Sequence, residues 1–210
     1  MGRFRIGPGW VLPLIAFAVA STAAAGDYRS GFGFGITVPD VYLVLTAEEV
    51  ARNAGLFLSE DTEASYGGIP SGLRHEVFQR VQSGEIEIFY RTEGVDFDFD
   101  FVDNVNVMVQ RALIPNNESQ LDEVCRVLPG EFSRMFGRPI SLDDCELRAV
   151  AGRRSLYLAF EGALVGTKTL QYQVQRGNGQ TLILTATSKV AHVPRMLSEF
   201  EAMVASIRSD

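Results

Sequence analysis

The fold is decided by Ser155–Ser188, SLYLAFEGALVGTKTLQYQVQRGNGQTLILTATS. Leu156 to Phe160 is apolar at every position, which predicts a central strand covered on both faces. In the next run Leu170, Tyr172 and Val174 alternate with Gln171, Gln173 and Gln175, so that strand has one wet face. Gly177-Asn178-Gly179 is a compact hairpin signal. The stretch therefore predicts strands over 155–163, 167–176 and 180–188, the first two joined through Gly162 to Gly166. A fourth strand, 145–150, precedes them across Gly152-Arg153-Arg154.

Outward from this block the pattern alternates between runs of strands and runs of helices. On the N-terminal side, Glu85 to Arg91, the alternating run Asp96 to Phe101 and the valines Val105, Val107 and Val109 predict three strands. Between them and the block, Asn116-Asn117 precedes a helix over 119–128. Pro129 is expected to break it, with a short second piece reaching Phe136 and stopping at Gly137. Earlier, Ile36–Val38 and Val41–Leu45 read as a strand, a turn and a second short run. Thr46-Ala-Glu-Glu49 is a capping box opening a helix to about residue 58. Residues 71–83 predict another helix, with Gly84 after its end. A closing helix starts at Pro194, with Leu197, Phe200, Met203, Val204 and Ile207 at helical spacing. Such segregated runs predict an α+β domain, a single antiparallel β-sheet of about six to eight strands packed between α-helices.

The first 25 residues have the layout of a cleaved signal peptide. Arg3 and Arg5 are followed by the apolar run Trp10–Ala20 and by Ala23-Ala24-Ala25, a small-residue cleavage signal before Gly26. The apolar part is too short for a spanning helix, and Pro13 lies inside it. Residues 26–35 are Gly-rich and read as a flexible N-terminal arm, leaving 36–210 as one domain. Hydrophobic residues make up 46% and charged residues 21%, which fits a globular chain. The net charge is −7. Loss of the leader removes two arginines and no acid, so the mature chain is more acidic still. An acidic surface without a basic run disfavours nucleic acid and anionic membranes.

The acids are unevenly placed. Between residues 85 and 103, Glu85, Glu87, Glu93, Asp96, Asp98, Asp100 and Asp103 stand against Arg91 alone. Asp96, Asp98, Asp100 and Asp103 form a candidate surface for a basic partner or a cation. The plainer account is a solvated strand edge guarded by charge. A strand face alone cannot converge the six to eight oxygens that calcium requires. Phe97, Phe99 and Phe101 on the other face suit either core packing or an apolar ligand pocket.

Two cysteines, Cys125 and Cys145, invite pairing in an exported protein; two free core thiols are the alternative. A bridge would close a loop of about 20 residues, worth about 3 kcal/mol in the chain-entropy model.

Catalytic motifs are sparse. His75-Glu76-Val77-Phe78-Gln79 has Gln79 where a zinc protease carries its second histidine. Ser71 has the wrong spacing for a nucleophile elbow and fits a helix N-cap. Gly31-x-Gly33-x-Gly35 lacks the strand and helix of a dinucleotide site. Asn117 matches a glycosylation sequon and, more simply, a helix N-cap. No spacing singles out a carboxylate pair for glycoside hydrolysis. No metal or other cofactor is implied.

Asp103-Asn-Val-Asn-Val107, Leu156–Glu161, Gly166–Tyr172, Leu182–Thr187 and the last helix with Phe200, Ser206 and Ile207 resemble the PsbP/DcrB-like superfamily. That superfamily also includes the nuclear-transport Ran-binding factor Mog. The likeness runs from Ile36 to Arg208. It implies an antiparallel sheet between helices and a mainly non-enzymatic repertoire: photosystem subunits, a periplasmic envelope protein, a GTPase-binding factor and toxin chaperones. No shared catalytic set comes with it. With the leader, the resemblance implies an exported, periplasmic member, a non-catalytic protein-interaction or envelope accessory module with a protein partner. A periplasmic small-ligand or lipid binder is the alternative, and a hydrolase is a third reading.

Overall fold

A computed structural model describes residues 25–52, 78–93 and 102–209. Residues 1–24 of the leader, Asp96, Asp98, Asp100, the three alternating phenylalanines, Ser71 and His75 lie outside these residues. The elements are β1 (Ala25–Ser30), β2 (Phe34–Pro39), β3 (Tyr42–Leu45), α1 (Ala47–Arg52), β4 (Glu87–Arg91), β5 (Asn104–Arg111) and α2 (Glu118–Phe136). They continue with β6 (Leu142–Val150), β7 (Arg153–Glu161), β8 (Thr167–Gln175), β9 (Gln180–Lys189), a 3-10 turn (Val190–His192), α3 (Val193–Ala205) and β10 (Arg208–Ser209). Residues 78–82 are also helical.

The main sheet has seven strands in the order β3-β4-β5-β9-β8-β7-β6, every pair antiparallel. The strand count agrees with the sequence expectation, but the single sheet does not. A second sheet of three strands, β1-β2-β10, stands apart from it. The expected flexible arm is a strand hairpin: β1 pairs with β2 from Ala25↔Pro39 to Ser30↔Phe34 around a turn with Gly33 at φ 74°. An edge strand needs backbone partners more than apolar side chains, so AGDYRS gave no alternation to read. β2 does alternate, burying Phe34, Ile36 and Val38.

One face of the main sheet carries Phe89, Val105, Val107, Tyr157, Ala159, Leu170, Tyr172, Leu182 and Leu184. It is covered by β2 and by Met196, Phe200, Met203 and Val204 of α3. The opposite face has two apolar patches. Leu45, Ile86 and Ile88 pack with Val50 of α1 and with Phe78 and Val81. At the other edge Leu156, Leu158 and Phe160 pack under Leu121, Val124, Leu128, Phe132 and Phe136 of α2. β7 is thus covered on both faces, though it lies one strand in from the edge.

Helix α2 runs unbroken through Pro129, contrary to expectation. Its two halves share one apolar stripe on the sheet. Cys125, whose carbonyl loses its usual partner at Pro129, is fastened covalently to β6. The start is capped as predicted: Asn117 Oδ1 accepts from Gln120 N at 2.9 Å. Gly137 closes the helix at φ 68°.

Candidate functional site

The chemistry-bearing side chains gather at one end of the main sheet, where β4 and β7 end and β5 and β8 begin. Just before β5 lies Asp103, only 2% exposed. Its Oδ1 accepts from Lys189 N at 3.1 Å. Its Oδ2 meets His192 Nδ1 at 2.8 Å and Arg195 Nη2 at 3.0 Å. Its carbonyl accepts from Arg91 N at 3.0 Å. Asp103 therefore ties the 3-10 turn and the start of α3 to the middle of the sheet. It is not part of an exposed acidic surface: both carboxylate oxygens are turned inward and occupied. A buried carboxylate is stable only when paired and hydrogen-bonded in this way.

Beside it, Arg91 holds Glu199 of α3 with two bonds, Nε to Oε2 at 3.0 Å and Nη2 to Oε1 at 3.1 Å. Tyr42 Oη donates to Glu199 Oε2 at 2.7 Å. Burial, reinforced by that carboxylate, pushes the Tyr42 phenol far above its ordinary range, so it stays a donor. Burial works to lower the Arg91 value, but the bonds to Glu199 carry it above the usual one. The His192–Asp103 contact has the form of the orienting half of a catalytic dyad. Such a dyad needs a hydroxyl or thiol on the other imidazole nitrogen. Among the described residues, none is bonded there. The cluster fastens α3; it does not assemble a nucleophile.

Next to this cluster the β7–β8 hairpin projects an apolar tip. Leu164 is 50% exposed, Val165 87%, and Val190, on the adjoining turn, 58%. Ala163 and Ala191 are exposed beside them. The tip is held firmly. Gly162 N donates to Thr167 O at 2.9 Å, and the Thr167 hydroxyl donates to Leu164 O at 2.6 Å. Val190 N donates to Gly166 O at 3.0 Å. Arg138 reaches across to the Gly162 carbonyl and to Glu161. A side chain at Gly162 would collide with the bonded Thr167 hydroxyl, which explains the glycine there. Residues 162–166 read in sequence as a plain connection between two strands. The available signal was three apolar residues between two glycines, where a hairpin turn is normally polar.

Cys125 and Cys145 are joined, with Cα atoms 5.9 Å apart, and the bridge binds α2 to β6. Gln79 is exposed on its helix. Gly31, Gly33 and Gly35 belong to the β1–β2 hairpin. Glu87, counted with the acidic run, is buried, at the opposite end of β4 from the Asp103 cluster. Among the described residues the buried carboxylates Asp103 and Glu87 lie at opposite ends of the sheet and do not form a pair. Among the described residues, no three His, Cys, Asp or Glu side chains are grouped to hold a metal ion. Among them, too, no helix is long and apolar enough to cross a membrane.

No family model and no curated protein matches the chain. Solved structures do. Cyanobacterial PsbP (CyanoP) from Synechocystis superposes with a TM-score of 0.52 at 12% identity, over 94% of this chain and 99% of that one. The chain has the PsbP/Mog-like fold. The Ran-binding protein Mog1p of Saccharomyces cerevisiae superposes with a TM-score of 0.50 at 6% identity, over 89% of this chain and 96% of that one. Identity this low establishes the architecture alone. Within the PsbP/Mog-like fold, the features to explain are this chain's own residues.

Proposed function

We propose that this chain is an exported, non-catalytic accessory module that works by docking a protein partner, and that the β7–β8 tip is its contact point. The observation that carries the reading is the exposed Leu164-Val165 knob held on a rigid hairpin. Anchoring by hydrogen bonds means little ordering entropy is lost on contact. Around the knob, Arg138 pairs with Glu161 and Lys168 with Asp143. An apolar centre within a paired polar rim has the anatomy of an interaction hot spot. A lipid surface fits less well. The exposed side chains carry about a dozen carbons, fewer than a myristoyl chain, which alone gives only marginal membrane binding. The rim also has no unpaired basic collar to attract anionic headgroups. Export is supported by the leader pattern and by the disulfide, which persists in oxidising compartments. Mog1p, described as Ran-binding, is an instance of protein recognition on this fold.

A photo-crosslinking residue at position 165 tests this in the native envelope, with position 118 at the start of α2 as control. A specific adduct is expected at 165 alone. Replacing Leu164 and Val165 with Asp should weaken capture of that protein at least about tenfold while leaving the melting temperature unchanged. Equal capture by the double variant would overturn the reading.

A further inference from the structure

We infer that the cleft between the β1–β2 turn and the β3–β4 edge binds a small organic cation, an ammonium or guanidinium group carrying an apolar body. The cleft holds about 660 Å³ and lies at the end of the sheet opposite the Asp103 cluster. Its wall includes Glu87, 6% exposed. Ser30 Oγ donates to Glu87 Oε2 at 2.7 Å, and Gly31 N donates to Oε1 at 2.7 Å. The Tyr28 phenol stands close enough for the Glu87 carboxylate to help burial raise it. The Ser30 hydroxyl in turn accepts from Phe32 N at 3.1 Å, which holds it against the turn.

Both of these donors are neutral. That separates Glu87 from Asp103 and Glu199, which each meet an arginine. Burying a carboxylate costs several kcal/mol, and dipoles alone offset it less fully than a cation does. An ionised carboxylate offers about four acceptor positions, so these two donors do not fill it. The rest of the cleft suits the body of such a ligand. Tyr28 and Phe32 bring aromatic rings, and Leu43, Val44 and Ile86 bring aliphatic surface. Aromatic faces attract ammonium and guanidinium groups, more strongly where water is displaced. Arg29 and Glu48 also line the cleft; they are opposite in sign, and both are already engaged in contacts of their own.

Two-dimensional amide NMR of the purified protein, titrated with n-butylammonium chloride, tests the site. Sodium chloride and the uncharged n-pentanol serve as controls. Saturable shifts are expected at Ser30, Gly31, Phe32 and Gly84 with the ammonium only. Glu87→Gln should weaken the binding at least about tenfold, the size of effect lost with a charge-assisted hydrogen bond. Should that variant fail to fold, Leu43→Lys keeps the test open. It changes an exposed position on the cleft and should block the ligand with a tethered ammonium. Absence of saturation in the unaltered protein would overturn the proposal. So would equal response to n-pentanol, or unchanged binding in either folded variant, since Glu87 would then serve only to fasten the turn. None of these outcomes bears on the apolar tip at the other end.

Discussion

Helices α2 and α3 cover opposite faces of one sheet by different means. α3 has 13 residues and buries Met196, Phe200, Met203 and Val204 completely. α2 has 19 residues and buries none completely. The difference follows from position. α3 lies over the middle of the sheet with β2 beside it, and contributes to a core that also includes β4, β5, β7, β8 and β9. α2 lies over the edge strand β6 and its neighbour β7, so half of its circumference has no sheet beneath it. Its charged face carries i,i+3 pairs such as Glu123–Arg126, which add little stability at full exposure. The disulfide is placed where burial is weakest. Of this pair, the central cover is held by apolar area and the cover over β6 by a covalent tie as well.

Four perturbations break or sharpen this contrast. The largest effect belongs to Phe200→Ala, which empties the centre of the α3 layer. Chemical denaturation should show a loss of about 3–5 kcal/mol; a loss under about 1 kcal/mol would mean the α3 face is not held by its core. Replacing both Cys125 and Cys145 with Ser should cost about 3 kcal/mol. Hydrogen exchange should then accelerate in α2 and leave α3 unchanged, and equal acceleration in both would show that the two covers are not independent. Phe132→Ala removes a ring stacked 4.5 Å from Phe160. Because Phe132 is only half-buried, about 2 kcal/mol is expected, less than at Phe200.

The smallest effect is an alkaline one, and it falls mainly on the α3 face. Burial raises Tyr28 and Tyr42 well above the ordinary phenol range and pushes Tyr157 up to about 12. Burial raises Tyr90, on the opposite face under α1, as well. The cluster beneath α2 contains no tyrosine. Folded phenols therefore keep protons that the unfolded chain releases. Their stabilisation is complete below about pH 10 and is lost as pH rises above that value. Ultraviolet titration should show delayed phenolate absorbance, released together with the loss of α3 protection. Ionisation of Tyr42 without loss of structure would contradict its placement.

How far the sequence could be read follows the same division. The strands of the 155–188 block, the Asn117 cap and the Gly177–Gly179 hairpin were legible because each rests on neighbours in sequence or on strict alternation, and the cysteine pair because an even count invites pairing. Asn178 and Gly179 do take the positive φ that such a turn demands. What escaped depends on distant partners. β1 carries no pattern of its own, and β10 is two residues long. Pro129 sits in a helix whose Cys125 is bridged to Cys145, 20 residues further along the chain. Asp103 looked like one more surface acid because His192 and Arg195, which bury it, lie about 90 positions later. Glu87 was lost in the same acidic run for the same reason, its partners Ser30 and Gly31 lying far upstream. The apolar tip was visible in the letters, but only exposure separates it from core.

The small sheet also constrains the order in which the chain can finish folding. β2 has β1 on one side, formed at once through a local turn. Its other side waits for residues about 170 positions later: Ser206 Oγ accepts from Thr37 N at 2.8 Å, and Arg208 and Ser209 pair with Gly35 and Phe34. Until those residues arrive, β2 has an open strand edge, and α3 cannot be locked over the core beside it. Closing a loop of this length is slow relative to hairpin formation, and native contacts reward it only at the end. Until residues 206–209 reach β2 the small sheet stays open on one side, so it acts as a latch that is set only after the strands between have taken their places.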